Sequence, residues 1–298
     1  MSIFTIDKFC SKDIASRAEY NEIGLELTYS RSGSEDYYFN SNSDTLLAAL
    51  VGSGSHKLNL GSMPKPGDYQ ALMSGINPRT DEVFCSKTRQ TQLQTDDHAL
   101  AGFSTSFNVE KSLSLLYATL PRDQQMKFEQ AMMEAASRII QHLEEGGHFA
   151  YRTGAQGSES HPGEVVAATY LHFTNRNQEP HLHVHAEIPN LILGIDGQWR
   201  TLDARELYRR QVEIGALFDA CLASILQRDL PDIASHLECN PERSGLVVAG
   251  IDRNTVMRFS TRRQEIQDGL QAMGASGADA ARAIAKRTRQ AKAAVEGE

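Results

Sequence analysis

The sequence feature that most restricts the fold is a run of alternating histidines. Residues 180–185 read Pro-His-Leu-His-Val-His. Side chains alternate between the two faces of a β-strand, so His181, His183 and His185 point one way, and the leucine and valine between them point the other way. The pattern therefore predicts a strand with an apolar face toward a core and a second face lined by imidazoles.

A second strand-like segment, residues 165–173, lies just upstream and contains His172 near its end. The polar residues 175–180 between the two segments favour a turn, so we expect an antiparallel pair. His172 then comes over the face that carries His183 and His185. Three neutral imidazoles on a rigid sheet suit a divalent transition ion that keeps positions open for water or a phosphate oxygen. The alternatives are an ordinary polar sheet face and an adventitious metal site.

A three-histidine site does not by itself define a reaction. Zinc hydrolases, cupin oxygenases and metal-assisted nucleases all fit such a ligand set. The chain contains no HExxH motif and no HxE motif paired with PCxxC. Their absence from the sequence argues against a metalloprotease and against a zinc deaminase.

The net charge of −8 over 298 residues argues against a protein that coats nucleic acid or an anionic membrane through bulk charge. It does not exclude a local basic cleft, and the last 48 residues carry nine Lys or Arg against six Asp or Glu. The four cysteines form no CxxC pair, no stretch of 18 apolar residues occurs, and the N-terminus lacks the basic-then-apolar order of a signal peptide. These features are typical of a cytoplasmic protein.

The segments together predict an α/β fold with two layers. We expect a mainly antiparallel central sheet that bears the histidine triad, flanked by helices and followed by a mostly helical C-terminal part. The expected organisation is one domain over residues 1–298, with a sheet-centred core in 1–205 and the helical part in 206–298.

Several motifs occur in a diagnostic order along the chain. They are residues 13–20, which end in Tyr20, then 35–38, 100–114, His172, 180–185 and the sequence Asp-Gly-Gln-Trp-Arg at 196–200. This series resembles the relaxase domain of MobF-type conjugative relaxases, which belong to the HUH endonucleases. The resemblance covers nearly the whole chain, and the histidine block with its trailing motif is the most specific part.

The resemblance implies an enzyme that nicks and rejoins one DNA strand at a plasmid transfer origin. A tyrosine attacks the scissile phosphodiester, forms a 5′-phosphotyrosyl link and releases a 3′-hydroxyl. A phenol with a pKa near 10 is a poor nucleophile at neutral pH, and a divalent ion helps by polarising the phosphate oxygens. Because phosphotyrosine conserves the energy of the phosphodiester, the step is reversible.

The family's functional positions transfer to particular residues of this chain. Tyr20 matches the first catalytic tyrosine, and the second falls at Tyr37 or Tyr38. The implied metal ligands are His172, His183 and His185, with Mg²⁺ or Mn²⁺ as the expected cofactor.

The implied partners are single-stranded DNA of the transfer origin, conjugation accessory proteins and the type IV secretion machinery. The resemblance further implies that the helical part over residues 206–298 closes over the DNA. For phosphate contacts the candidates are Lys111, Arg176 and Arg200, each of which is equally compatible with an ordinary surface charge. Bases are candidates to stack on Trp199 or Phe103, unless these rings belong to the core.

One position departs from the family pattern. Where these relaxases usually carry an acid in the segment matched by residues 102–112, this chain has Ser104. The acid orients a metal-binding histidine, whereas a serine accepts an imidazole N–H but supplies no charge. Either another acid, such as Glu187 or Asp96, substitutes for it, or the enzyme is weakened or altered.

Two other functions stay open on the sequence alone. One is a non-catalytic or weakened DNA-binding homologue that keeps the fold and the histidines. The other is a three-histidine metal phosphodiesterase, for which Tyr20 would be dispensable.

Overall fold

The computed structural model describes residues 4–22, 48–175, 177–240 and 245–274, together with 276–277, 280–281 and 283–284. The strands are β1 (Phe4–Cys10), β2 (Ala48–Val51), β3 (Leu100–Asn108), β4 (Ala150–Thr153), β5 (Glu159–Glu164), β6 (Ala167–Thr174), β7 (Pro180–Pro189), β8 (Ile192–Gly194), β9 (Trp199–Arg200), β10 (Leu237–Asn240) and β11 (Gly245–Val248). The helices begin with α1 over residues 14–22. They continue with α2 (Ser53–Lys57), α3 (Asp68–Met73), α4 (Lys87–Thr95), α5 (Lys111–Thr119), α6 (Arg122–Glu145), α7 (Arg205–Arg209), α8 (Gln211–Asp229), α9 (Pro231–Ala234), α10 (Arg253–Arg258) and α11 (Thr261–Ala272).

A five-stranded sheet in the order β1-β3-β7-β6-β2 forms the centre of the molecule. Every neighbouring pair in this sheet is antiparallel. The histidine-bearing strand β7 is therefore an inner strand with hydrogen-bonded neighbours on both sides. An inner position holds side chains more rigidly than an edge or a loop does, which suits a site that needs fixed geometry.

The two faces of this sheet carry different side chains. On one face Leu182, Val184 and Ala186 of β7 are completely buried in a core that includes apolar residues of α6 and α8. Burying each leucine or valine side chain contributes about 1.5–3 kcal/mol. On the opposite face lie the histidines and a smaller apolar cluster to which α1 and α3 contribute. The alternation of polar and apolar residues in β7 thus fixes which face carries the site.

A second antiparallel sheet, in the order β4-β5-β8-β9, lies beside the first. Beyond it the chain is mostly helical, with α7–α11 interrupted by the β10–β11 hairpin. Side chains of α8 such as Phe218 and Leu222 join the same core as the central sheet.

The predicted fold class is confirmed: a mainly antiparallel sheet bears the histidines, helices flank it, and the described C-terminal part is mostly helical. The division of the chain at residue 205 stays a prediction. Within the described ranges, no helix is both long and apolar enough to cross a membrane.

Candidate functional site

The pairing of β6 with β7 brings His172 next to the histidines of β7. His172 lies directly opposite His183 in the ladder. The ring centroids of His172 and His183 are 5.4 Å apart, those of His183 and His185 are 4.9 Å apart, and those of His172 and His185 are 5.0 Å apart. A fourth ring, that of His181, lies 4.6 Å from His183. The sheet register therefore gathers four imidazoles on one face.

The nitrogen atoms of these rings are suited to bind a metal. Nδ1 of His183 lies 2.7 Å from the carbonyl oxygen of His181, so Nδ1 carries the proton and the lone pair is on Nε2. Nε2 of His172 and Nδ1 of His185 are buried and have no hydrogen-bond partner among the described residues. Buried polar atoms are nearly always paired, so each of these two nitrogens is available to bind an ion or to donate to a neighbouring acid after a side-chain rotation.

The electrostatic environment keeps the rings neutral. Burial lowers the pKa of His172 to about 3, with a further contribution from His183. Burial lowers the pKa of His181 to about 3 and that of His183 to about 4. The pKa of His185 falls well below its usual value for the same reason, and the other histidines and Arg17 add to the effect. All four imidazoles therefore keep a lone pair at neutral pH, as metal ligation requires.

The rings do not yet point at a common centre. Within the described ranges, no three His, Cys, Asp or Glu side chains converge in metal-binding geometry. The rings of His172 and His183 are stacked at an interplanar angle of 23°, which aligns ring faces rather than nitrogen lone pairs. Residue types, burial and unpaired nitrogens fit a divalent ion, and binding requires rotation of at least one ring.

Tyr20 contacts this cluster. Its ring is stacked on His172 with centroids 4.8 Å apart and an interplanar angle of 8°. It also meets His185 edge-on at 6.2 Å. The sequence separates the tyrosine from the histidines by about 150 residues; the fold brings them into contact.

Tyr20 lies on helix α1, and hydrogen bonds at both ends of this helix fix its position. The helix follows a turn in which the Asp13 carboxylate accepts the backbone N–H of Cys10 at 3.1 Å. At the far end, the Glu22 carboxylate accepts the backbone N–H groups of Gly67 at 2.9 Å and Tyr69 at 2.8 Å. Between them, Ile14 and Ala18 are buried against the sheet.

A buried carboxylate lies beside the histidines on the same strand face. Ser104, the residue at the departing position, donates its hydroxyl to Oε1 of Glu187 at 2.6 Å. The same carboxylate accepts from the Tyr69 hydroxyl at 3.3 Å and from the Arg17 guanidinium at 3.4 Å. Burial raises the pKa of Glu187, and Arg17 opposes this shift. Asp96, the other acid considered, instead accepts the backbone N–H of exposed His98.

The candidate DNA-contacting residues fall in different places. Lys111 begins α5 beside the histidine row and donates to the carbonyl of Pro180 at 2.7 Å. Burial lowers its pKa. Arg200 lies on β9 in the second sheet, paired with Asp196 at 2.5 Å. Tyr37, Tyr38 and Arg176 lie outside the described residues.

Arg200 lines a cleft of about 580 Å³. This cleft was not predicted from the sequence. Its charged lining residues are Arg89, Arg152, Arg200, Arg205 and Asp203. Asp203 pairs with Arg152 and Arg205, and Asp196 pairs with Arg200. Four arginines against two carboxylates leave the cleft basic although the whole chain is acidic. These arginines are scattered over α4, β4, β9 and α7, so no local sequence pattern could reveal the cluster.

The two aromatic candidates separate as well. Trp199 lines the cleft and packs against Phe84 with centroids 4.6 Å apart. Phe103 is only 2 % exposed and belongs to the main core. Of the two alternatives left open for Phe103, the structure shows the core position, because the ring sits on the apolar face of β3.

The model of the TrwC relaxase family matches residues 18–298. The chain belongs to this family. The family predicted from the motif order is therefore confirmed.

Two curated relatives are similar over part of their length. The multifunctional conjugation protein TraI of Escherichia coli strain K12 is 24% identical over 196 residues, which cover 61% of this chain and 11% of TraI. A second Escherichia coli TraI is 23% identical over 186 residues, 61% of this chain and 10% of the relative. The chain thus spans about a tenth of these proteins.

Solved structures extend the similarity to the fold. A copper-bound complex of the conjugative relaxase TrwC with oriT DNA has a TM-score of 0.76 at 24% identity, covering 99% of this chain and 93% of that chain. A metal-free TrwC–oriT complex gives 0.75 at 23% identity with the same coverage. A TrwC complex with a 27-mer that comprises the recognition hairpin and the cleavage site gives 0.74 at 22% identity, again over 99% and 93%.

The lowered pKa values of the histidines predict a pH-dependent stability for the metal-free protein. An unfolded histidine has a pKa near 6.5, whereas burial lowers the pKa of His172 in the folded chain to about 3. Between these values only the unfolded state takes up the proton, so the free energy of unfolding falls as the pH drops below about 6.5. One such histidine contributes a slope of at most about 1.4 kcal/mol per pH unit.

Urea unfolding in the presence of EDTA, from pH 7.5 to pH 5, measures this slope. His172→Gln should make the slope shallower, because the variant has one histidine fewer to protonate on unfolding. His142→Gln on the exposed face of α6 is the matched control and should keep the wild-type slope. Equal slopes in the wild type and in His172→Gln would contradict the prediction.

Proposed function

We propose that the chain is a DNA relaxase that nicks and rejoins single-stranded DNA at a plasmid transfer origin through a 5′-phosphotyrosyl intermediate. Tyr20 is the nucleophile, and His172, His183 and His185 bind the metal. Lys111 and Arg200, together with Arg176, contact DNA phosphates. Tyr37 or Tyr38 serves as a second nucleophile in a later strand transfer.

The observation that carries this proposal is the contact between Tyr20 and the histidine cluster. A metal phosphodiesterase that uses water has no need for a tyrosine against its ligands. Here the phenol ring lies flat on His172 at 4.8 Å, at the end of a helix tied down at both ends. A nucleophile acts efficiently only when it is held close to the reacting atom.

Three imidazoles favour a transition ion such as Mn²⁺ over Mg²⁺, which prefers oxygen ligands and retains its waters. When bound, the ion polarises the non-bridging oxygens of the scissile phosphate and stabilises the added negative charge. His183 presents Nε2 for this purpose because its Nδ1 is bonded to a carbonyl. Nε2 of His172, which is buried, and Nε2 of His185 would complete the ligand set after side-chain rotation.

The chemical step then belongs to Tyr20. Its hydroxyl oxygen attacks phosphorus and loses its proton, the bond from phosphorus to the 3′-oxygen breaks, and that oxygen leaves as a 3′-hydroxyl after taking up a proton. One phosphodiester is exchanged for another, so the reverse reaction rejoins the strand. The half-buried position of Tyr20 limits attack by water on the link.

DNA binding relies on local rather than net charge. The four arginines of the basic cleft carry more charge than the two carboxylates paired with them, Asp203 and Asp196. Guanidinium groups pair with phosphate oxygens in a fixed geometry. Trp199 adds a ring at the same place. Lys111, away from the cleft at the start of α5, contributes positive charge beside the histidine row.

The partners of the proposed reaction are origin DNA, the accessory proteins that expose it as a single strand, and the type IV secretion machinery that exports it. The helical part over residues 206–298 closes over the bound strand. Plasmid DNA is processed in the cytoplasm, and we place the protein there.

A covalent-adduct assay tests the proposed chemistry. The chain is incubated with Mn²⁺ and labelled single-stranded oligonucleotides that tile the transfer origin of the replicon encoding it, and products are separated on denaturing gels. We expect a protein–DNA adduct for the wild type and a loss of at least about 100-fold for Tyr20→Phe, since removing a nucleophile abolishes covalent catalysis. Tyr208→Phe, which changes a half-buried tyrosine on α7, is the control and should keep full activity.

Two other outcomes of this assay would overturn the proposal. Cleavage without an adduct, unaffected by Tyr20→Phe, would indicate a metal phosphodiesterase. Binding without cleavage by the wild type would indicate a non-catalytic homologue.

The basic cleft generates a separate prediction about affinity. Arg152→Ala should weaken binding of the origin oligonucleotide and reduce the slope of log affinity against log salt by about 0.7, as expected for one lost phosphate contact with a single strand. Fluorescence anisotropy at several salt concentrations measures both quantities. Arg228→Ala removes an exposed arginine of α8 that pairs with Glu134 and should change neither, so equal effects of the two variants would contradict the role of the cleft.

A further inference from the structure

Glu187 is an unusual residue for an inner strand. It is 1% exposed and lies two residues after His185, so both side chains are on the same face of β7. Burying an ionised carboxylate costs several kcal/mol unless charges and hydrogen bonds compensate for it. Here Ser104, Tyr69 and Arg17 supply the donors. Three donors directed at one buried carboxylate indicate a role beyond packing.

The group that Glu187 faces is a candidate metal ligand. Oε1 of Glu187 lies 3.9 Å from Nδ1 of His185. That nitrogen is buried and unpaired among the described residues. Histidines that bind a metal through one ring nitrogen usually donate the other N–H to a carboxylate or carbonyl, which fixes the ring orientation and strengthens the ligand. A small rotation of either side chain would close the hydrogen bond.

The position of this carboxylate also explains Ser104. Ser104 and Glu187 are directly opposite each other in the β3–β7 ladder, and opposite residues on one face have Cβ atoms about 5 Å apart. An acid on either strand therefore reaches the same space beside His185. The serine that stands on β3 in place of an acid donates a hydrogen bond to the acid on β7.

We propose that Glu187 is the positioning residue for His185, and that the carboxylate supporting the metal ligands has moved across the ladder from β3 to β7. The inference rests on the proposed function, because it concerns the same metal site. Ser104 in this arrangement orients the carboxylate and does not act on the histidine itself. With Glu187 in this role, the chain keeps a carboxylate beside its metal ligands, and Ser104 does not by itself imply a weakened enzyme.

The same carboxylate connects the metal site to the nucleophile. Arg17 reaches Glu187 from α1 and precedes Tyr20 by three residues, so the two side chains project from neighbouring positions of that helix. The Arg17 guanidinium also lies over the Phe9 ring at 4.5 Å, which steadies it. Glu187 therefore orients His185 directly and Tyr20 through Arg17.

The test compares Glu187→Gln with a variant that returns the carboxylate to β3, the double substitution Ser104→Asp with Glu187→Gln. Mn²⁺ affinity is measured by titration calorimetry, and adduct formation is resolved into kcat and KM. Glu187→Gln should weaken Mn²⁺ binding by about 10–100-fold and lower kcat with little change in the KM for DNA. The double variant should recover Mn²⁺ affinity to within a few-fold of the wild type.

Glu129→Gln is the matched control. Glu129 is a carboxylate of α6 that is 2% exposed and bonded to Tyr117 and Arg122. Helix α6 contributes to the core on the apolar face of the central sheet, opposite the histidines. Loss of the Glu129 carboxylate should lower stability without changing Mn²⁺ affinity. If Glu187→Gln proves too unstable to purify, Glu187→Asp, which withdraws the carboxylate from His185, should show the same loss of Mn²⁺ affinity.

The outcomes separate this inference from the proposed function. Wild-type Mn²⁺ affinity in folded Glu187→Gln, or no recovery in the folded double variant, would overturn the role of Glu187 even if Tyr20 forms the adduct. Loss of Mn²⁺ affinity in Glu187→Gln with recovery in the double variant would support it, even if the wild type formed no adduct and the proposed reaction failed.

Discussion

The antiparallel pairing of β6 with β7 is the constraint on which the site depends. It sets His172 opposite His183, and the alternation of β7 places His181 and His185 on the same face. The apolar residues between the histidines lock this register, because a slip by one residue would turn the imidazoles into the core. Hydrophobic burial on one face of the sheet therefore supplies the rigidity that the polar chemistry on the other face needs.

Two further features suit this sheet face to the proposed reaction. Burial keeps the imidazoles neutral, so they remain competent ligands at neutral pH. Helix α1 brings Tyr20 over the cluster, and its Arg17 ties the helix to the carboxylate of Glu187. The acidic net charge of the chain is compatible with the proposed DNA binding, because the basic cleft concentrates arginines in one place and charges farther away than about 10 Å are screened.

Sequence reasoning predicted the fold class, the family and the histidine-bearing strand, because each of these depends on local alternation or on motif order. It left the fate of the Ser104 position open between Glu187, Asp96 and a weakened enzyme, because cross-strand register is not encoded locally. It missed the basic cleft and the role of Arg17, which depend on tertiary neighbours. It left Phe103 open between base stacking and the core, and the structure places the ring in the core.

The proposed chemistry requires that three histidines of β6 and β7 bind one metal ion under Tyr20. Anomalous diffraction at the manganese edge, from crystals of the chain grown with Mn²⁺, tests this most directly. We expect a peak bonded to His172, His183 and His185 at about 2 Å from one ring nitrogen of each, with the Tyr20 ring alongside. A peak bonded to other residues, or to only one of these histidines, would contradict it.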